Sequence, residues 1–202
     1  MRAILAAVIM LQALVTGGDC LFCEQCFALH NSSCSGIITQ CPPDVTHCVT
    51  GLENSTVGSD VILTAFKDCL DPSQKAACGR EFSYKTSVYS FRISRTCCDS
   101  DFCNGADVQV PPSDNTPNGY ICEDCFNDQS TDPCIATGVI QCTGKQNACI
   151  SSSGTGSMPG EDGRSYSAKG CITQDFCKLG IFNLAGTQPY DYSLKCAPAL
   201  KV

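Results

Sequence analysis

The chain has 202 residues, including 19 cysteines and no tryptophan, and its formal net charge is −7. The acidic excess is spread along the chain without a basic cluster, which argues against nucleic acid and anionic membrane surfaces as partners. This cysteine content is typical of secreted domains whose apolar core is too small to stabilise them alone. Each disulfide in such a domain contributes about 2–4 kcal/mol.

Residues 1–20 have the pattern of a secretory signal peptide. The positive start Met1–Arg2 precedes an apolar stretch that ends at Val15, and small residues follow it up to Cys20. The stretch is too short to cross a bilayer as a helix. No later segment looks like a membrane span or a lipid-anchor tail. We therefore expect a protein released into the extracellular space, with Cys20 removed together with the leader.

The strand-like segments alternate with turn signals and show no sustained helical period. In chain order they are residues 46–53, 61–66, 89–95, 148–151 and 165–172. Residues 54–59 carry turn signals and predict the tip of a hairpin between the first two strands. The pattern predicts an all-β, disulfide-rich fold.

The cysteines that follow Cys20 form two sets with matching spacing. The first set is Cys23, Cys26, Cys34, Cys41, Cys48, Cys69, Cys78, Cys97, Cys98 and Cys103, and the second is Cys122, Cys125, Cys134, Cys142, Cys149, Cys171, Cys177 and Cys196. The intervening residues number 2, 7, 6, 6, 20, 8 and 18 in the first set and 2, 8, 7, 6, 21, 5 and 18 in the second. Such agreement indicates a duplicated domain.

The segment between the two sets is rich in Pro, Gly, Asp and Asn and has no cysteine, which is the composition of a linker. We therefore predict a first domain at residues 21–104, a linker at 105–119 and a second domain at 120–202.

Two motifs resemble a known family. The first domain opens with Cys23-x-x-Cys26 and closes with Cys97-Cys98-Asp-Ser-Asp-Phe-Cys103-Asn104. Both resemble the three-finger domain of the urokinase-receptor and lymphocyte-antigen family. The resemblance implies a disulfide hub from which three β-hairpin fingers project, with a second domain that lacks the last disulfide. The implied bonds are Cys23–Cys48, Cys26–Cys34, Cys41–Cys69, Cys78–Cys97, Cys98–Cys103, Cys122–Cys149, Cys125–Cys134, Cys142–Cys171 and Cys177–Cys196.

Two groups of secreted two-domain members are similar to this chain. The leader and the stretch Cys23-Glu-Gln-Cys26-Phe-Ala-Leu-His30 resemble the sodefrin precursor-like factors, which are courtship pheromone proteins of salamanders and newts. The stretch Pro117-Asn-Gly-Tyr-x-Cys122 looks like the gamma-type phospholipase A2 inhibitors. The first resemblance implies a non-enzymatic signalling protein that binds a protein receptor, and the second implies binding to a secreted protein target.

Catalytic and metal-binding interpretations have weak support in this sequence. Each repeat has one CxxC pair, whereas a zinc ribbon needs two in one small unit. The histidines are His30 and His47, and the implied disulfides leave no thiol in the mature chain for a Cys/His site. The spacing of the aspartates matches no EF-hand loop. We expect no enzyme activity, no metal and no cofactor.

Loops held by a rigid scaffold are the expected binding sites. The candidate segments are residues 54–59, 80–87, 151–164 and 179–191, and the candidate residues in them are Asn54, Gly58, Tyr84, Met158, Arg164, Phe182 and Tyr190. Asn31-Ser-Ser and Asn54-Ser-Thr are N-glycosylation sequons. Asn54 is favoured because it lies at the predicted hairpin tip.

Overall fold

The computed structural model describes residues 20–57, 59–109, 114–157, 163–179 and 188–202. The leader up to residue 19 and the candidate loop residues Gly58, Met158 and Phe182 lie outside this part of the chain, as does the side chain of Tyr190.

The first repeat consists of three hairpins. Its strands are β1 (Phe22–Leu29), β2 (Ile37–Gln40), β3 (Cys48–Val57), β4 (Asp60–Cys69), β5 (Glu81–Lys85) and β6 (Tyr89–Cys98). We call the β1–β2, β3–β4 and β5–β6 hairpins the first, second and third fingers. Short 3-10 turns follow the second and third fingers at Pro72–Ala77 and Cys103–Gly105.

The second repeat begins with the same order of four strands as the first. Its strands are β7 (Pro117–Asn127), β8 (Gly138–Thr143), β9 (Gln146–Ser157), β10 (Arg164–Thr173), β11 (Gln188–Pro198) and β12 (Leu200–Lys201). The β7–β8 and β9–β10 hairpins are its first and second fingers, and helix α1 (Gln174–Leu179) follows β10. The sequence showed no helical period here, because one and a half turns are too short to show one. β7 begins at Pro117, within the residues expected to form the linker.

The second finger of each repeat is longer than its sequence pattern suggested. β3 and β4 pair from Cys48 with Cys69 to Val57 with Asp60. The predicted hairpin is confirmed and its tip falls at the end of the expected segment, but residues 54–57 belong to β3, so the tip is shorter than expected. The Gly/Ser-rich segment expected to be a loop at 151–164 is also mostly strand, since β9 runs to Ser157 and pairs with both β10 and β11. Pairing on both sides outweighs the low strand propensity of glycine and serine.

One continuous sheet joins the two repeats. Its strand order is β2-β1-β4-β3-β6-β5-β10-β9-β11, and β7 connects to it through β10 while also pairing with β8 and β12. The junction is the antiparallel pair β5–β10, in which Tyr84 lies opposite Ile172 and Lys85 opposite Cys171.

The largest core lies between the repeats rather than inside either one. Its buried members from the first repeat are Ala77, Phe82, Tyr84, Phe91 and Ile93, and those from the second are Ala148, Ile150, Ala168, Ile172 and Phe176. The ring of Phe176 in α1 packs against Phe82 and Phe91, with centroids 6.0 and 5.9 Å away. Since full burial of one such side chain stabilises by about 1.5–3 kcal/mol, this shared core fastens the repeats together.

Nine disulfides cross-link the described residues, and each joins a pair that the family resemblance implied. Five lie in the first repeat and four in the second. At the first hub, the Sγ atoms of Cys41 and Cys23 lie 3.2 Å apart although they belong to different disulfides. Stacked disulfides therefore form the base from which the fingers project.

The two repeats close their hubs by different means. In the first, buried Asn104 accepts a hydrogen bond from the Glu24 backbone N–H at 2.9 Å and donates to the carbonyls of Glu24 and Val49 at 2.9 and 3.1 Å. In the second, the short strand β12 pairs with β7 at the equivalent place. Strand pairing thus stands where the first repeat has the Cys98–Cys103 loop.

Candidate protein-binding surface

The first fingers of both repeats expose apolar side chains at equivalent positions. Counted from the aligned disulfides, Phe27 corresponds to Phe126 and Ile38 to Val139. Phe27 and Phe126 are 39% and 37% exposed, and Ile38 and Val139 are 50% and 68% exposed. The register agrees, since Ile38 lies opposite Glu24 in β1 and Val139 opposite Glu123 in β7. Because side chains alternate along a strand, Phe27 and Ile38 lie on opposite faces of their finger, and so do Phe126 and Val139. We call the exposed apolar side chains on the two faces of both fingers the first-finger surface.

Neighbouring residues enlarge this apolar area. Ile37 in β2 is 71% exposed and Ile135, before β8, is 86% exposed. Isolated exposed apolar residues are common on proteins, but groups of them mark interaction sites more often. The same arrangement on both repeats makes the first-finger surface the candidate binding site.

A salt bridge at equivalent positions braces each first finger against the second. Lys67 Nζ lies 3.0 Å from a Glu24 carboxylate oxygen, and Lys169 Nζ lies 2.6 Å from a Glu123 oxygen. In the first pair Lys67 is buried and Glu24 is half-buried, and Lys67 also donates to the Gly105 carbonyl at 2.7 Å. The second pair is more exposed. Such bracing holds the candidate surface rigid.

The Glu24 carboxylate also fixes the turn of its finger. Its Oε1 atom accepts a hydrogen bond from the Gly36 N–H at 2.9 Å. This bond lowers the pKa of Glu24, partial burial opposes the shift, and Lys67 supports it. The charged carboxylate is therefore part of the folded finger and not a free surface group.

Two of the expected binding-loop residues lie elsewhere than the sequence suggested. Tyr84 is only 6% exposed, because the second repeat covers its face of β5, and burial raises the pKa of its hydroxyl. Tyr84 is therefore a core residue and not a binding-loop residue. Arg164 is exposed, but it is the first residue of β10 and pairs with Gly156 in β9.

The two sequons differ in their surroundings. Asn54 is half-buried in β3, where it lies between Leu63 of β4 and Arg92 of β6, and not at a tip. Asn31 is exposed beyond the end of β1, and its Oδ1 atom accepts hydrogen bonds from the N–H and hydroxyl of Ser33 at 3.2 and 3.4 Å. The structure thus favours Asn31 as the accessible sequon.

The sequence raised the histidines and the CxxC cysteines as candidates for catalysis or metal binding. His30 is exposed, and His47 Nδ1 forms a hydrogen bond of 2.8 Å with the Thr46 hydroxyl. Within the described residues, the side chains grouped closely enough for a metal are two cysteine triads, Cys23 with Cys41 and Cys69, and Cys122 with Cys142 and Cys171. All six sulfurs belong to disulfides, so they are not thiolate ligands.

The first-finger surface was missed because no strand was predicted in that finger. Its signal is present in the sequence, since Phe27 and Phe126 each directly follow the second cysteine of a CxxC pair. A comparison of apolar positions between the repeats, rather than of cysteines alone, would have found it.

No helix among the described residues is both long and apolar enough to cross a membrane.

Comparisons with known proteins agree with the duplicated architecture. Protein RoBo-1 of Rattus norvegicus is 33% identical over 91 residues, which is 45% of this chain and 36% of that protein. The urokinase plasminogen activator surface receptor of the same species is 34% identical over 87 residues, which is 41% of this chain and 24% of the receptor. This chain therefore spans much less than two thirds of either relative.

A third relative matches nearly end to end. A gamma-type phospholipase A2 inhibitor of Elaphe climacophora is 24% identical over 185 residues, covering 91% of this chain and 90% of the inhibitor. A family model described as the u-PAR/Ly-6 domain matches residues 20–106 and again residues 118–199. Because the model covers both repeats, this chain belongs to the u-PAR/Ly-6 domain family.

Proposed function

We propose that this protein is a secreted, non-enzymatic binding protein, and that it acts as a courtship pheromone of the sodefrin precursor-like type on a protein receptor. The observation that carries the binding role is the repetition of the first-finger surface on both repeats. The resemblance of the leader and the first CxxC segment to the sodefrin precursor-like factors supports the pheromone role.

The construction of the fingers suits recognition better than catalysis. Disulfides and the Glu24–Lys67 pair hold the first finger in one conformation, which reduces the entropy lost when it binds a partner. Exposed aromatic and branched apolar side chains gain free energy when a partner removes them from water. In the described part of the mature chain, the cysteines that could serve as nucleophiles are oxidised.

The test is the response of chemosensory neurons to the purified protein. We expect the wild-type protein to evoke calcium signals, and the double variant Ile38→Ser/Val139→Ser to lose most of the response. Val88→Ser is the matched control, because Val88 is 45% exposed but lies at the tip of the third finger. An equal response to the double variant, or no response to wild type, would show that the proposal is wrong.

A second function is inhibition of a secreted phospholipase A2. The near end-to-end match to the gamma-type inhibitor favours it. In this case the same first-finger surface would bind the enzyme. Micromolar wild-type protein should then slow hydrolysis of phospholipid vesicles by a panel of secreted phospholipases A2, and the double variant should not. Full activity of every enzyme in the panel would contradict inhibition and leave the pheromone role as the proposal.

A further inference from the structure

The tip of the third finger of the first repeat packs against the second repeat. Beyond the β5–β10 pair, the Ser87 backbone N–H donates a hydrogen bond of 3.0 Å to the carboxylate of Asp124 in β7. Asp124 is only 7% exposed. A buried carboxylate that accepts a backbone N–H from another domain is a specific contact, because loss of its partner leaves a charge without compensation.

A glycine in β10 makes room for this tip. A Cβ atom at Gly170 would collide with the carbonyl of Lys85 and would lie 3.2 Å from a methyl carbon of Thr86. The nearest atom is backbone, so the clash cannot be relieved by rotating a side chain. Any larger residue at position 170 therefore pushes the third finger away from β10.

The first repeat has different residues at the same two positions. The disulfide alignment places Gln25 at the position of Asp124 and Asp68 at the position of Gly170. Gln25 Nε2 donates to an Asp68 carboxylate oxygen at 2.6 Å, and this bond is exposed. The two side chains thus bridge β1 and β4. They do so at the position on the first repeat that is equivalent to the site on the second repeat where the third finger makes contact.

We propose that Asp124 and Gly170 form a docking site for residues 85–87 of the same chain, and that Gln25 and Asp68 close the corresponding place on the first repeat. The docking site sets the orientation of one repeat relative to the other. It also holds residues 85–87 against the second repeat, while the Ser87 and Val88 side chains stay exposed at the end of the finger. This inference does not depend on which partner the protein binds.

Amide hydrogen exchange on the full mature chain tests the docking site. Asp124→Ala removes the acceptor, and we expect the Ser87 amide to exchange roughly tenfold faster or more, since a hydrogen bond to a charged group is worth about 1.5–3 kcal/mol. Gly170→Ala introduces the clash, and we expect a larger radius of gyration by small-angle scattering as the third finger leaves β10. Disulfide mapping of both variants verifies that each repeat still folds.

The matched controls place alanine at the two equivalent positions of the first repeat. Gln25→Ala and Asp68→Ala should leave both the Ser87 exchange rate and the radius of gyration as in the wild type. The proposal is overturned if Asp124→Ala leaves the Ser87 amide protected, if Gly170→Ala leaves the radius unchanged, or if the first-repeat controls produce the same effects.

Discussion

The ring of Phe66 occupies the space that a side chain at Gly51 would need. The two residues lie opposite each other in the β3–β4 register, and the guanidinium of Arg95 sits over the same ring, 5.4 Å from its centroid. Burial lowers the pKa of Arg95 to about 10, while the Glu53 carboxylate opposes that shift. A glycine is therefore required at this point of β3 by packing and not by backbone conformation.

Gly51→Ala should destabilise the protein by about 1–3 kcal/mol, because the added methyl group displaces the Phe66 ring from a filled space. The free energy of unfolding in guanidinium chloride, with disulfides intact, measures this. Gly138→Ala is the control, since a Cβ there meets nothing within 4 Å, and its effect should stay within about 0.5 kcal/mol. Equal effects of both substitutions would contradict the packing argument.

The ion pair between half-buried Glu24 and buried Lys67 should make the free energy of unfolding depend on pH in the acid range. The pKa of Glu24 is lowered in the folded state, so its stabilising contribution is complete above the unfolded value of about 4.3. The contribution is lost as the pH falls through the lower folded value. Glu24→Gln should therefore reduce the free energy of unfolding at pH 7 and flatten its decline below pH 4.

The second repeat supplies the control for this acid dependence. Glu123→Gln removes the equivalent but more exposed partner of Lys169, and exposed pairs contribute only about 0–1 kcal/mol. Denaturant titrations from pH 2 to 7 should therefore show a pH profile close to that of the wild type. A profile for Glu24→Gln as steep as that of the wild type would disagree with the expectation.

Among the polar residues of the first hub, Asn104 should be the one whose substitution lowers the free energy of unfolding most. Asn104→Ala leaves the buried backbone groups that it serves without partners, and each such group costs about 1–3 kcal/mol. We expect roughly 2–4 kcal/mol of destabilisation by thermal or chemical unfolding. Asn127→Ala, which removes a surface hydrogen bond to the Gln129 N–H, should change little. Comparable losses for the two variants would argue against this role of Asn104.

Asn31 should carry an N-linked glycan when the protein is secreted from eukaryotic cells. Its side chain is exposed and held near the Ser33 hydroxyl, whereas Asn54 is half-buried within β3. Intact mass before and after N-glycosidase treatment should show one glycan, absent from Asn31→Gln and retained in Asn54→Gln. Retention of the glycan in Asn31→Gln would restore Asn54 as the modified residue.

Sequence reasoning found the elements whose signal is local. The β-branched run of β4 and the alternating residues of β6 were recognised as strands because each pattern fits one half-buried face. β9 was recognised only at its start, since its Gly/Ser-rich end is a strand through pairing with β10 and β11. Helix α1 was missed because so short a helix leaves no periodic pattern.

Sequence reasoning also failed to predict which side chains are buried and which are exposed. Residues 80–87, with Tyr84, were predicted to be a binding loop, because the sequence does not show that another part of the chain covers them. The second repeat covers the Tyr84 face of β5, so an expected binding residue is a core residue. Conversely, Phe27 and Phe126 are large aromatic residues of the kind usually found in a core, yet the side chains of both are more than one third exposed.

The sequence by itself determined the duplication and the all-β class, because cysteine spacing and turn signals are properties of the chain read in order, whereas the disulfide pairing was implied by the family resemblance and not by spacing. Only the tertiary structure decided how the repeats meet and which fingers remain exposed. That outcome depends on contacts between residues far apart in the chain, such as the carbonyl of Lys85 against Gly170. Whether a glycine there is a docking point or a flexible position depends on what lies against it, and this is fixed only when the sheet has formed.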